Sequence, residues 1–141
     1  ESLTNLKFYN ELLKPTTIYF NLIKKIFSEN INIKGMAHIT GGGIPENLPR
    51  SIPNDFLPCI DSQSWEIPFI FKFLQDIGEI PENDLWNTFN LGIGFCLIVD
   101  PKFKDPILEI CNSQNMPSWV IGKIKRRLKS DNDLTIEGLS I

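Results

Sequence analysis

Between Thr16 and Phe27 apolar residues recur at Ile18, Leu22, Ile23, Ile26 and Phe27, a spacing that predicts a helix with one buried stripe. Pro15 stands ahead of it as a start signal, Lys24 and Lys25 fall late, and polar Ser28-Glu29-Asn30 ends it. The pattern then changes period. Met36, His38 and Thr40 alternate with Ala37 and Ile39, as in a strand with two unlike faces, and the alternation breaks at Gly41-Gly42-Gly43. Pro45 and Glu46 suit the first turn of a short helix after those glycines.

Further along, Phe56 to Asp61 reads as a short strand, which Pro58 should confine to an edge or a bulge. A second long helix is predicted from Trp65 to Ile80, with Phe69, Ile70, Phe73, Leu74 and Ile77 on its apolar face and Gly78 near its end. A shorter helix follows Pro81 and carries Leu85, Trp86 and Phe89. The run Phe95 to Val99 is continuously apolar, the pattern of a central strand covered on both faces. A fourth helix opens after Pro106, Ser118 to Ile124 reads as a strand, and Leu134 to Ile141 as a closing strand or a tail. Helices and strands alternate throughout, so the expected class is α/β or α+β, a mixed sheet with helices packed on it.

Composition narrows function only by exclusion. The 141 residues, 42% hydrophobic and 22% charged, fit one domain over 1–141 with a continuous core. A net charge of −3 argues against a surface for nucleic acid or an anionic membrane. The basic run Lys123 to Lys129 lacks interleaved aromatics and reads as a solvated face. No apolar run is long enough to span a bilayer, and the start has no signal-peptide pattern, so the expected location is cytoplasmic. Cys59, Cys96 and Cys111 have no metal-ligand spacing and read as free thiols, so no metal site is expected. Trp65, Trp86 and Trp119 read as core, or as a face awaiting another part of a longer protein.

The candidate chemistry lies at the glycines. Without Cβ atoms, Gly41, Gly42 and Gly43 let backbone N–H groups approach a ligand, and His38 before them and Arg50 after them outline an anion site. A structural turn is the competing reading. His38, the sole histidine, is either a hydrogen-bonded structural residue or an acid–base group. Arg50 either meets a phosphate or ties the loop to Glu46 or Asp55.

The string Ala37-His38-Ile39-Thr40-Gly41-Gly42-Gly43-Ile44-Pro45-Glu46-Asn47-Leu48-Pro49-Arg50 resembles the signature loop of the phosphoribosylformylglycinamidine cyclo-ligases, or AIR synthetases. Three more stretches fall where that resemblance puts them: Leu12 to Tyr19, Asn87 to Gly94 and Val120 to Ile124. The resemblance covers only the C-terminal half of such an enzyme. It implies that 1–11 is a linker from a missing N-terminal half and that 125–141 is a C-terminal extension. It also implies a catalytic His38, with substrate or phosphate binding at Gly41, Gly42, Gly43, Asn47, Arg50 and Asn90. The implied substrates are formylglycinamidine ribonucleotide and ATP. Mg²⁺ would be held mainly by the missing half, which would also form a homodimer, so the piece alone is expected to be inactive. Thr17, where the family more often has a basic residue, and Asn83-Asp84-Leu85-Trp86 depart from the pattern. Related members of the same ATP-binding superfamily, formylglycinamidine synthetases among them, and a non-catalytic phosphate-binding module are the alternatives.

Overall fold

The computed structural model describes residues 9–128 and 132–137. Residues 1–8 of the expected linker, Lys129, Ser130 and Asp131, and the last four residues of the expected closing segment lie outside that range. A helical turn at 9–12 is followed by α1 (Phe20–Ser28), β1 (Ile33–His38), α2 (Gly43–Asn47) and a 3₁₀ turn at Pro49–Ser51. Then come β2 (Phe56–Asp61), α3 (Phe69–Gly78), α4 (Glu82–Thr88) and β3 (Phe95–Val99). A 3₁₀ turn at Pro101–Phe103, α5 (Lys104–Ser113), β4 (Gly122–Arg126) and β5 (Thr135–Glu137) complete the order. The class is α+β, as the alternation predicts.

The strands form two sheets where the sequence reading expects one. β1 and β3 make an antiparallel ribbon, and β2 lies between antiparallel β4 and parallel β5 in a mixed sheet. The ribbon separates two apolar clusters. On one side Ala37 and Cys96 join Ile39, Ile44, Leu48, Trp65, Leu85, Trp86 and Leu91, and Ile98 packs against them. On the other side Ile33, Leu97 and Val99 pack against Leu22 and Ile26 of α1 and Ile107 and Cys111 of α5. β3 is thus covered on both faces, as its unbroken apolar run predicts, yet among the described strands it has one neighbour and is not central.

Pro58 also departs from expectation, because β2 is the middle strand. The hydrogen bonds from Asp61 N–H to Ile121 O (2.8 Å) and from Arg127 N–H to Asp55 O (2.8 Å) set the phase of the β2/β4 ladder. In that phase Pro58 and Ile124 face each other as a pair that exchanges no hydrogen bonds. The missing N–H therefore costs nothing toward β4. On its other side β5 begins only opposite Cys59, so no ladder bond is lost there either.

Predicted elements differ in their bounds, and α5 begins at Lys104, ahead of Pro106 and not after it. The helix expected from Thr16 starts at Phe20, leaving Ile18 80% exposed, because the Tyr19 ring is held against Gly94 and Phe95. The helix expected from Trp65 starts at Phe69, because Trp65 is buried with its indole N–H donating to Leu91 O (2.9 Å), which keeps the preceding chain out of a helix. The strand expected over Ser118 to Ile124 is shifted to Gly122–Arg126, where β2 supplies partners. α3 has no buried residue, and its apolar face leaves Phe69 (72%) and Ile77 (68%) uncovered. In the basic run Lys123, Lys125 and Arg126 are exposed, whereas Arg127 pairs with Asp133 at 2.5 Å and so ties the chain before β5 to the end of β4. No described helix is long and apolar enough to cross a membrane.

Candidate active site

β1 delivers His38 to the rim of the fold. Alternation puts Ala37 and Ile39 into the core and leaves His38 exposed on the other face. Its imidazole meets the Tyr19 ring edge-on at 5.9 Å between centroids and tilts over Phe95 at 6.0 Å. No described residue hydrogen-bonds to either ring nitrogen. The side chain is seated by aromatic contact with Tyr19 and Phe95.

Two residues later the chain turns sharply. Gly42 and Gly43 have φ of 92° and 57°, a left-handed pair that glycine adopts without a Cβ penalty. Gly43 is further constrained, because a Cβ there would lie 2.0 Å from the Trp86 carbonyl oxygen and 2.7 Å from that of Phe89. The loop thus sits on the C-terminal end of α4. Gly43 N–H donates to Thr40 O (3.1 Å), while the amides of Gly41 and Gly42 have no acceptor among the described residues. A Cβ on Gly41 would meet nothing within 4 Å.

Asn47 holds the turn from within. Its side-chain Nδ2 donates to Gly41 O (3.1 Å) and to Gly43 O (2.8 Å). Arg50 pairs with Glu46, the loop tie considered from sequence, and the Glu46 carboxylate lies over Gly42. The two charges cancel beside the loop. Both side chains are more than half exposed, so the pair is easily exchanged for another partner. Asn90 also works on backbone, its Oδ1 accepting from Gly92 N–H (3.1 Å) and its carbonyl from Ile93 N–H (2.9 Å). That turn ends at Gly94, whose carbonyl accepts from Ile39 N–H (2.9 Å) and so joins it to the end of β1.

The fold therefore brings together three of the four stretches singled out in the sequence: Tyr19, His38 with the glycine turn, and Asn90 to Gly94. Val120 to Ile124 stands apart, across a cavity of about 600 Å³ that touches Tyr19 and Gly94 but not His38 or the three glycines. Tyr19 and Phe95 were not assigned to the site from sequence. Tyr19's place in the Leu12 to Tyr19 stretch was the available signal, whereas Phe95 reads as one more member of an apolar strand. Burial pushes the Cys96 thiol up to about 12, so it is a neutral core side chain and not a nucleophile. Among the described residues no three His, Cys, Asp or Glu side chains converge as a metal-holding group.

Residues 3–131 match the family described as AIR synthase related protein, C-terminal domain. The chain is 63% identical over 126 residues, 89% of its length, to a protein named phosphoribosylformylglycinamidine cyclo-ligase from Prochlorococcus marinus subsp. pastoris strain MED4, and covers 36% of that protein. It is 62% identical over 136 residues to the protein of the same name from strain AS9601 and 51% over 114 residues to that from strain MIT 9313. The chain spans less than two fifths of the length of these curated relatives. With a family match that takes in most of the chain, this chain belongs to the AIR synthase related protein C-terminal domain family.

Proposed function

We propose that the chain is the C-terminal part of an ATP-dependent cyclo-ligase that converts formylglycinamidine ribonucleotide to 5-aminoimidazole ribonucleotide in purine biosynthesis, a cytoplasmic reaction. The observation that carries the reading is the 63% identity, across most of the chain, to a relative bearing that enzyme's name. The site's geometry supports it. In the reaction the formyl oxygen takes the γ-phosphoryl group of ATP and ADP leaves. A substrate nitrogen then attacks the formyl carbon, loses a proton, and displaces phosphate as the ring closes.

His38, seated by Tyr19 and Phe95, moves that proton or steadies charge at the formyl oxygen. The Gly41 and Gly42 amides, which have no acceptor among the described residues, meet a phosphate, with Asn47 keeping them aligned through the loop carbonyls. Arg50 reaches the same anion by leaving Glu46. Asn90 acts through its turn by setting the position of Gly94. ATP and its Mg²⁺ are brought in by the part of the enzyme outside this chain, which also forms the homodimer.

The test is a chimera in which the remainder of the MED4 relative precedes this chain, assayed for ADP release and aminoimidazole ribonucleotide formation from formylglycinamidine ribonucleotide and Mg-ATP. Turnover supports the reading, and loss of most of it in His38→Asn, with ribonucleotide binding kept, supports the role of His38. Binding without turnover in the unsubstituted chimera would favour a non-catalytic phosphate-ligand module instead.

A further inference from the structure

One cavity, of about 600 Å³, is lined by two unpaired sheet edges. In the β1/β3 ribbon the bond from Ile39 N–H to Gly94 O (2.9 Å) fixes the phase, so Cys96 and Ile98 turn their backbone groups toward β1. Phe95 and Leu97 turn theirs the other way. In the β2/β4 ladder Ile121, Lys123 and Lys125 bond toward β2, and the backbone groups of Gly122 and Ile124 turn outward. Phe95, Leu97, Gly122 and Ile124 all line the same cavity of about 600 Å³. No described residue bonds to these outward groups.

The walls suit a strand. On one side the cavity is lined by Leu22 and Ile23 of α1 and Ile107 of α5, and on the other by Leu48, Ile60 and Ile121. An extended segment between the two edges would find apolar cover on both faces. Most of the lining side chains are apolar, with Thr17, Tyr19, Lys104, Ser118 and Lys123 the polar ones among them. Rows of N–H and C=O groups on both sides are what a strand satisfies along its whole length.

We propose that this cavity receives an apolar strand from the part of the enzyme that the relatives carry beyond this chain, and that the strand joins the two sheets into one in the order β1, β3, inserted strand, β4, β2, β5. The curated relatives hold more than three fifths of their length outside the matched region, so the same polypeptide supplies the occupant. This inference concerns assembly and stands whether or not the proposed reaction is correct.

Amide hydrogen exchange tests it, read residue by residue in the 141-residue chain and in the chimera with the MED4 relative's remaining sequence. In the chimera the amides of Phe95, Leu97, Gly122 and Ile124 are expected to exchange as slowly as those of Cys96 and Lys123, which already bond within their sheets. In the chain alone they are expected to exchange about a hundredfold faster. Fast exchange in the chimera overturns the proposal. So does equal protection in the chain alone, which would assign the cavity to a local segment, and so does protection lost on dilution, which would assign it to a second copy. Should the chain alone not fold, the chimera's own comparison of the four amides with Cys96 still decides, and Leu97→Pro gives a second reading. It removes an outward N–H and no bond to β1, and it is expected to abolish the protection of Gly122 and Ile124 in the chimera while Cys96 stays protected.

Discussion

The Tyr19 hydroxyl lies 2.0 Å from the point where a Cβ on Gly94 would stand, so the two residues share space that only glycine leaves free. Because the same tyrosine ring abuts His38, a change at Gly94 reaches the candidate site through Tyr19. Gly94→Ala is expected to displace the ring and destabilise the fold by about 1–3 kcal/mol, as overpacking does. In the chimera it should also lower kcat more than it raises KM. Denaturant titration and steady-state kinetics check both halves, and unchanged kcat would detach Tyr19 from the function of His38.

The three glycines should respond unequally. Gly43→Ala meets the carbonyls of Trp86 and Phe89 in a left-handed conformation and is expected to cost more than about 3 kcal/mol. Gly41→Ala meets nothing and should leave the melting temperature within a few degrees of the parent. If Gly41 N–H binds phosphate, this variant weakens ribonucleotide binding without unfolding. Thermal melts beside calorimetric binding separate the two effects.

Asn47 donates to two loop carbonyls, so Asn47→Ala is expected to cost about 1–2 kcal/mol. Asn47→Asp should be worse, because a carboxylate has no N–H to offer and sets negative charge against two carbonyl oxygens. Limited proteolysis across residues 40–50, together with denaturant midpoints, reads this order.

Glu46 competes with any anion for Arg50. Glu46→Gln is expected to tighten phosphate or ribonucleotide binding several-fold while barely changing stability, since an exposed pair contributes about 0–1 kcal/mol. Tightening that Arg50→Ala abolishes would identify Arg50 as the anion's partner. A lower melting point with unchanged binding would leave the arginine a loop tie only.

Burial raises the Cys96 thiol from 9.0 to about 12. Between those values the unfolded chain releases this proton and the folded chain keeps it. Stability from this group is therefore whole below pH 9 and falls as pH rises toward 12, at up to about 1.4 kcal/mol per pH unit. Cys96→Ala should show a shallower alkaline decline than the parent, and a parallel decline would disprove the assignment. With iodoacetamide at pH 8, half-buried Cys59 should react before Cys96 and Cys111.

The amino-acid order alone determined much of the site. The alternation that buries Ala37 and Ile39 necessarily presents His38 on the opposite face, and three glycines followed by Pro45 permit little besides a sharp turn into a short helix. These are properties of neighbours in the chain, so they are legible from it. The unbroken apolar run of β3 likewise announced cover on both faces.

What only the tertiary structure decided were relations between distant residues. Tyr19 delays α1 because Gly94 and Phe95, about 75 positions on, hold its ring, and Trp65 delays α3 because Leu91 accepts its N–H. Pro58 occupies a middle strand because its missing donor falls where neither neighbour needs one, a matter of ladder phase that no local pattern records. Period and propensity act within a few residues, whereas ladder phase, ring contacts and the pairing of Arg50 are fixed only when separate elements meet and each backbone donor must find its acceptor.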